Sequence, residues 1–149
     1  MAPLAVKLKL QLKDQRAFTL GEILMVTVIF GVLAVIAVPQ FLATQPGLRL
    51  NGAARQVFSE IMSARMKAVN ENTTYTVTFP NNYTIQIAGP TTRTVNIQTL
   101  YAGVTLSSSA STINLSSRGT ADVSSTITVT NSAGSKTVSV KITGAATIS

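Results

Sequence analysis

Twenty-one consecutive residues, Phe18 to Val38 (FTLGEILMVTVIFGVLAVIAV), carry a single charge, Glu22. A helix rises ~1.5 Å per residue, so a run of this length reaches ~30 Å, the thickness of a bilayer's hydrocarbon core. Such a segment must become a membrane helix or a discarded export signal. Upstream, Lys7, Lys9, Lys13 and Arg16 stand against Asp14, a net of +3 over residues 1–17, while the next downstream cation is Arg49. Positive charge stays on the cytoplasmic side, which holds residues 1–17 in the cytoplasm and exports the chain beyond the apolar run. A secretory signal peptide is the alternative, because Val35-Ile36-Ala37 fits a small-residue cleavage site. The run exceeds the usual ~7–15-residue core of such signals, and a retained signal anchor is expected.

Glu22 is out of place in a plain anchor. A carboxylate within a membrane helix is expensive and functional by default. Either it lies near enough to the cytoplasmic face to stay hydrated, or it meets a cation inside the membrane. The run contains no Lys or Arg to supply that cation. A new chain N-terminus would.

The stretch Arg16-Ala17-Phe18-Thr19-Leu20-Gly21-Glu22, continued by an unbroken apolar helix and Pro39, resembles the class III signal of type IV pilins and pseudopilins. The resemblance implies that a prepilin peptidase/methyltransferase cuts between Ala17 and Phe18 and N-methylates Phe18. It also implies that Glu22 is the assembly residue, pairing with the N-terminal amine of a neighbouring subunit. Ala17 stands where the family usually has Gly, and Gly21 where it usually has a bulky aliphatic. Gly21 weakens the local helix by about 1 kcal/mol relative to Ala. Pro39 lacks an N–H and crowds the preceding turn, so a helix break is expected there, with Pro46-Gly47 a second interruption. The break is read either as a loosening of one helix or as the end of the membrane helix before a short linker.

Composition removes most other functions. The 149 residues contain no Cys, His or Trp, so thiol catalysis, zinc fingers and Ser-His-Asp triads lack their parts. Five carboxylates are spread over the whole chain, which leaves little scope for paired acid/base work; no enzyme, cofactor or metal site is expected. Twelve Lys and Arg give a net charge of +7, but the main basic cluster abuts the apolar run. That placement suits membrane orientation, and no nucleic-acid partner is expected.

From Leu50 to Val69 apolar residues recur at three- and four-residue steps: Leu50, Ala54, Val57, Phe58, Ile61, Met62, Ala68 and Val69. Arg49, Glu60, Lys67 and Glu71 fall on the opposite face, and Arg65 falls inside the apolar arc, where a snorkelling stem is expected and an intersubunit partner is the alternative. After Asn72 the period shortens to two. Tyr75/Val77/Phe79, Tyr83/Ile85/Ile87, Val95/Ile97, Val104/Leu106, Ile113/Leu115, Ile127/Val129 and Val138/Val140/Ile142 read as short strands with one apolar face, and 131–135 as a hairpin loop. Thirty of the 77 residues from 73 onward are Ser or Thr, which suits solvated strand faces. Glycan decoration is the alternative, since Asn72-Thr-Thr, Asn82-Tyr-Thr and Asn114-Leu-Ser match acceptor triplets.

The runs Val104-Thr-Leu-Ser, Ile113-Asn-Leu-Ser-Ser-Arg118-Gly119-Thr-Ala and Lys136-Thr-Val-Ser-Val-Lys-Ile-Thr-Gly144 are similar to the β-domain of H-type minor pseudopilins and FimT-like pilins. The expected fold is therefore α+β, a pilin fold whose long N-terminal helix crosses the membrane in its first half and packs on antiparallel sheets in its second. The chain divides into a leader at 1–17, a transmembrane and filament-core helix at 18–47, and an amphipathic helix with β-domain at 48–149. The expected function is a minor pseudopilin-like subunit of a type II secretion pseudopilus or type IV pilus-like filament. A major type IV pilin is the alternative within the class, and a membrane-anchored β-domain that never polymerises is the alternative outside it. Expected partners are the prepilin peptidase, other pilin or pseudopilin subunits, the inner-membrane assembly platform and the lipid bilayer. The precursor is expected in the inner membrane, and the assembled subunit in an extracytoplasmic filament.

Overall fold

The computed structural model describes residues 18–149; the basic leader and Ala17 lie outside the described residues. The chain forms two compact units divided between Gln40 and Phe41. Helix α1 runs Leu20–Asn70. It does not end at Pro39 or give way to a linker: both Pro39 and Pro46 lie within the helical span. A proline removes one backbone donor and crowds one turn, but the hydrogen bonds on either side remain available.

In the unit from Phe41 onward, α1 buries one stripe: Leu50, Ala53, Ala54, Val57, Glu60, Ile61, Ala64 and Ala68. Phe58 and Met62 flank it as half-buried residues, and Val69, expected on the apolar face, is 47% exposed. Small alanines recur along the stripe.

The β-domain contains β1 (Tyr75–Asn81), β2 (Thr84–Ala88), β3 (Arg93–Asn96), the short helix α2 (Ile97–Leu100), β4 (Thr105–Ser108), β5 (Thr112–Leu115), β6 (Ser125–Asn131), β7 (Gly134–Val140) and β8 (Ala146–Ile148). They form two four-stranded sheets, in the orders β3-β2-β1-β5 and β4-β6-β7-β8, with every pairing antiparallel. Alternation works as expected: Tyr75, Val77, Ile85, Ile87, Val95, Leu106, Ile113, Leu115, Ile127, Val129, Val138 and Val140 are all buried. Each fully buried branched aliphatic contributes roughly 1.5–3 kcal/mol. The hairpin closes tightly, with Asn131 paired to Gly134.

Local pattern misassigns four places. Tyr83, expected on the apolar face of a strand, precedes β2 in the turn and is exposed. Ile97 is buried, but as the first residue of α2 and not as a strand residue; the Asn96 side chain accepts from the Gln98 and Thr99 N–H groups and starts the helix instead. Ile142 lies beyond β7 and is 57% exposed, while its carbonyl accepts from the Ala121 N–H at 2.9 Å. Strand β8 has no apolar alternation long enough to announce it; it exists because β7 offers an edge, pairing Val138 with Ile148 and Val140 with Ala146.

Candidate functional site

Phe18 lies two residues before α1 and Glu22 in its first turn, at the start of the apolar run. Thr19 precedes the helix, and its N–H donates to Glu22 Oε2 at 2.9 Å. The Thr19 hydroxyl donates to the same oxygen at 3.1 Å and accepts from the Glu22 N–H at 3.2 Å. This is a reciprocal capping box, in which Thr and Glu three residues apart satisfy helix-start donors that would otherwise lack partners. The signature Thr19-Leu20-Gly21-Glu22 is legible in the sequence, yet the family motif points to Phe18 and Glu22 and is silent on Thr19. The capping fixes the Glu22 carboxylate against Thr19, the residue that follows Phe18.

Phe18 is 80% exposed, and Phe18, Glu22, Ile23, Val26 and Thr27 line an open cleft of about 310 Å³. Residues 18–44 are exposed throughout. An apolar surface of this extent is not stable in water and has to be covered by lipid tails or by other apolar helices. The helix is long and apolar enough to cross a membrane.

In the unit from Phe41 onward, the polar groups are used internally. Glu60, expected on the outer face of α1, is buried, and its Oε1 accepts from Arg93 Nη2 at 3.0 Å and from Gln56 Nε2 at 2.8 Å. Periodicity places Glu60 outside because it counts helix positions and cannot see that β3 brings a cation over it. Arg65 does more than snorkel: its Nε donates to the Gly119 carbonyl at 2.8 Å and its Nη2 approaches the Thr143 carbonyl at 3.4 Å. One guanidinium thus ties α1 to two separate turns. Burial pushes the Asp122 carboxyl up, but hydrogen bonds outweigh it. The Asn114 N–H and side-chain amide donate at 2.9 and 2.7 Å and hold the group below its ordinary 3.8.

Of the three glycan triplets, Asn72 and Asn82 are exposed, whereas Asn114 is engaged with Thr76 and Asp122. Among the described residues, no group of three or more His, Cys, Asp or Glu is placed to hold a metal ion.

Comparison with known proteins gives a consistent picture. Residues 53–145 match the family described as type II transport protein GspH. No curated protein matches the sequence. Two crystal forms of the type IV minor pilin FimU from Pseudomonas aeruginosa share the fold. One has a TM-score of 0.56 at 15% identity, covering 67% of this chain and 92% of FimU. The other has 0.57 at 14% identity, covering 67% and 87%.

Proposed function

Because this chain belongs to the type II transport protein GspH family and is a minor pseudopilin-like filament subunit, we propose that it enters its filament through the capped N-terminal turn at Phe18–Glu22. The protein is membrane-anchored and associates with other pilin or pseudopilin subunits. In the proposed order of events a prepilin peptidase removes residues 1–17 between Ala17 and Phe18 and methylates the new amine. The precursor waits in the inner membrane with its N-terminus in the cytoplasm, and an assembly platform lifts it into the growing filament.

The observation that carries this reading is the exposed apolar helix with one carboxylate in its first turn. Lipid covers such a helix in the precursor; neighbouring helices cover it after extraction, and that exchange makes polymerisation possible without stranding apolar surface in water. Glu22 offers a negative charge where a neighbour's N-terminal ammonium arrives. Water is excluded as helices pack, so the attraction strengthens on assembly. Loosening of α1 around Pro39, where one donor is already missing, is the proposed adjustment on packing. The role is structural, and no catalysis is proposed.

Intact mass of the protein isolated from membranes tests the reading. A chain beginning at Phe18 with one added methyl group is expected. A start after Ala37 would identify an ordinary secreted protein and end the filament proposal.

A further inference from the structure

A cavity of about 510 Å³ opens between the end of β1 with the β1–β2 turn, in one sheet, and β4 of the other sheet with the segment that leads from it to β5. Its walls include Phe79, Asn82 and four serines, at 107–109 and 111. Residues 41–149 hold eight Lys or Arg and three Asp or Glu, a net of +5, yet no charged side chain lines this cavity. An anion site on so basic a domain would have recruited a cation. The lining instead supplies two amides, several hydroxyls and one aromatic ring.

Peptide addition is poorly served here. A strand joins a sheet through a row of free backbone groups. At this rim the Leu106 N–H already donates to the Asn82 carbonyl at 2.7 Å, and the Phe79 N–H to the Ser111 carbonyl at 3.0 Å. What remains is side-chain chemistry. Hydroxyls both donate and accept, an amide does the same, and an aromatic face packs against C–H groups. Together these match a ring that presents hydroxyls around its edge and C–H bonds on its face.

The serine run is also fixed from behind. Ser109 Oγ accepts from the Thr126 N–H at 2.9 Å, and Ser108 Oγ donates to the Ala110 carbonyl at 2.6 Å. Both hydroxyls approach Oγ of buried Ser125, at 3.3 and 3.2 Å. Asn82, Ser107 and Ser111 are left exposed at the rim. A site held in place before its ligand arrives loses less ordering entropy on binding.

We propose that this cavity binds a neutral oligosaccharide, a role separate from filament assembly. Saturation-transfer NMR on the full chain tests it, in phosphocholine micelles that carry no sugar, with maltotetraose, cellotetraose and fully N-acetylated chitotetraose as probes at millimolar concentration. Transfer to at least one probe is expected. In Ser107→Arg the long side chain occupies the rim, and in Asn82→Asp the amide donors are lost. Each variant should weaken that binding about fivefold or more while the circular dichroism spectrum is unchanged. If one variant fails to fold, the other decides. Absence of transfer from all three probes overturns the proposal, as does transfer undiminished in the folded variants. Stronger transfer to a neutral Thr-Val tetrapeptide would assign the groove to a peptide strand and overturn it equally.

Discussion

Gly144→Ala should be among the most damaging single-methyl changes available in the β-domain. Gly144 has φ +75°, and a Cβ there would sit 1.8 Å from the Gly119 carbonyl oxygen and 2.8 Å from Arg65 Nε. A left-handed alanine costs about 1–2 kcal/mol on its own. The carbonyl must also move, and it is the one that accepts from Arg65 at 2.8 Å. A hydrogen bond from a charged donor is worth about 1.5–3 kcal/mol. The two contributions together give ~3–4 kcal/mol, or a fall in Tm of roughly 4–8 °C per kcal/mol for a unit near 100 residues. Arg65→Ala loses the same bond and the weaker approach to Thr143, for about 2–3 kcal/mol. Because both changes act through one carbonyl, the double variant should fall short of additivity by at least ~1 kcal/mol. Urea denaturation of the fragment beginning at Phe41, monitored by far-ultraviolet circular dichroism, measures all four corners of the cycle. Strict additivity, or a Gly144→Ala loss under ~1 kcal/mol, would refute the shared-carbonyl account.

Glu22→Gln keeps a capping side chain for Thr19 but removes the charge, so membrane level and processing should persist while filament incorporation falls sharply. Glu22→Ala loses both, and immunoblots of sheared filaments against membranes should rank it below Gln; wild-type incorporation of Glu22→Gln would return the carboxylate to a purely capping role. Arg93→Ala leaves the Glu60 carboxylate with Gln56 alone, and since the Arg93 side chain is 60% exposed the loss should be a discounted ~1–2 kcal/mol by thermal melt. Asp122 has a depressed pKa in the fold, so its contribution is present above the unfolded value of 3.8 and is lost as pH falls through the lower folded value. The melting curves of wild type and Asp122→Asn should therefore differ most near neutral pH and converge in acid; a gap independent of pH would point to shape and not charge.

Local sequence decided here only as much as local physics decides. An apolar run of membrane length, a Thr-x-x-Glu start, a three-four step from Leu50 and a period-two pattern after Asn72 each arise from the geometry of one element, and each can be read without knowing its neighbours. The same holds for the 131–134 hairpin, whose partners are adjacent in the chain. The α+β class comes from the switch in period. Partition into two sheets does not: β5 skips β4 to lie beside β1, and β4 skips β5 to lie beside β6. Alternation says which face of a strand is buried and nothing about which strand lies alongside. For the same reason β8, too short to carry a pattern, appears only once β7 presents an edge. Glu60 and Arg65 show the limit most directly. A helical wheel assigns one to water and treats the other as an anomaly, because it holds no record of Arg93, 33 residues on, or of the Gly119 carbonyl, 54 residues on. Their roles come from long-range closure, which brings a buried carboxylate its cation and a guanidinium in the apolar arc its carbonyls, and only the folded chain contains that information.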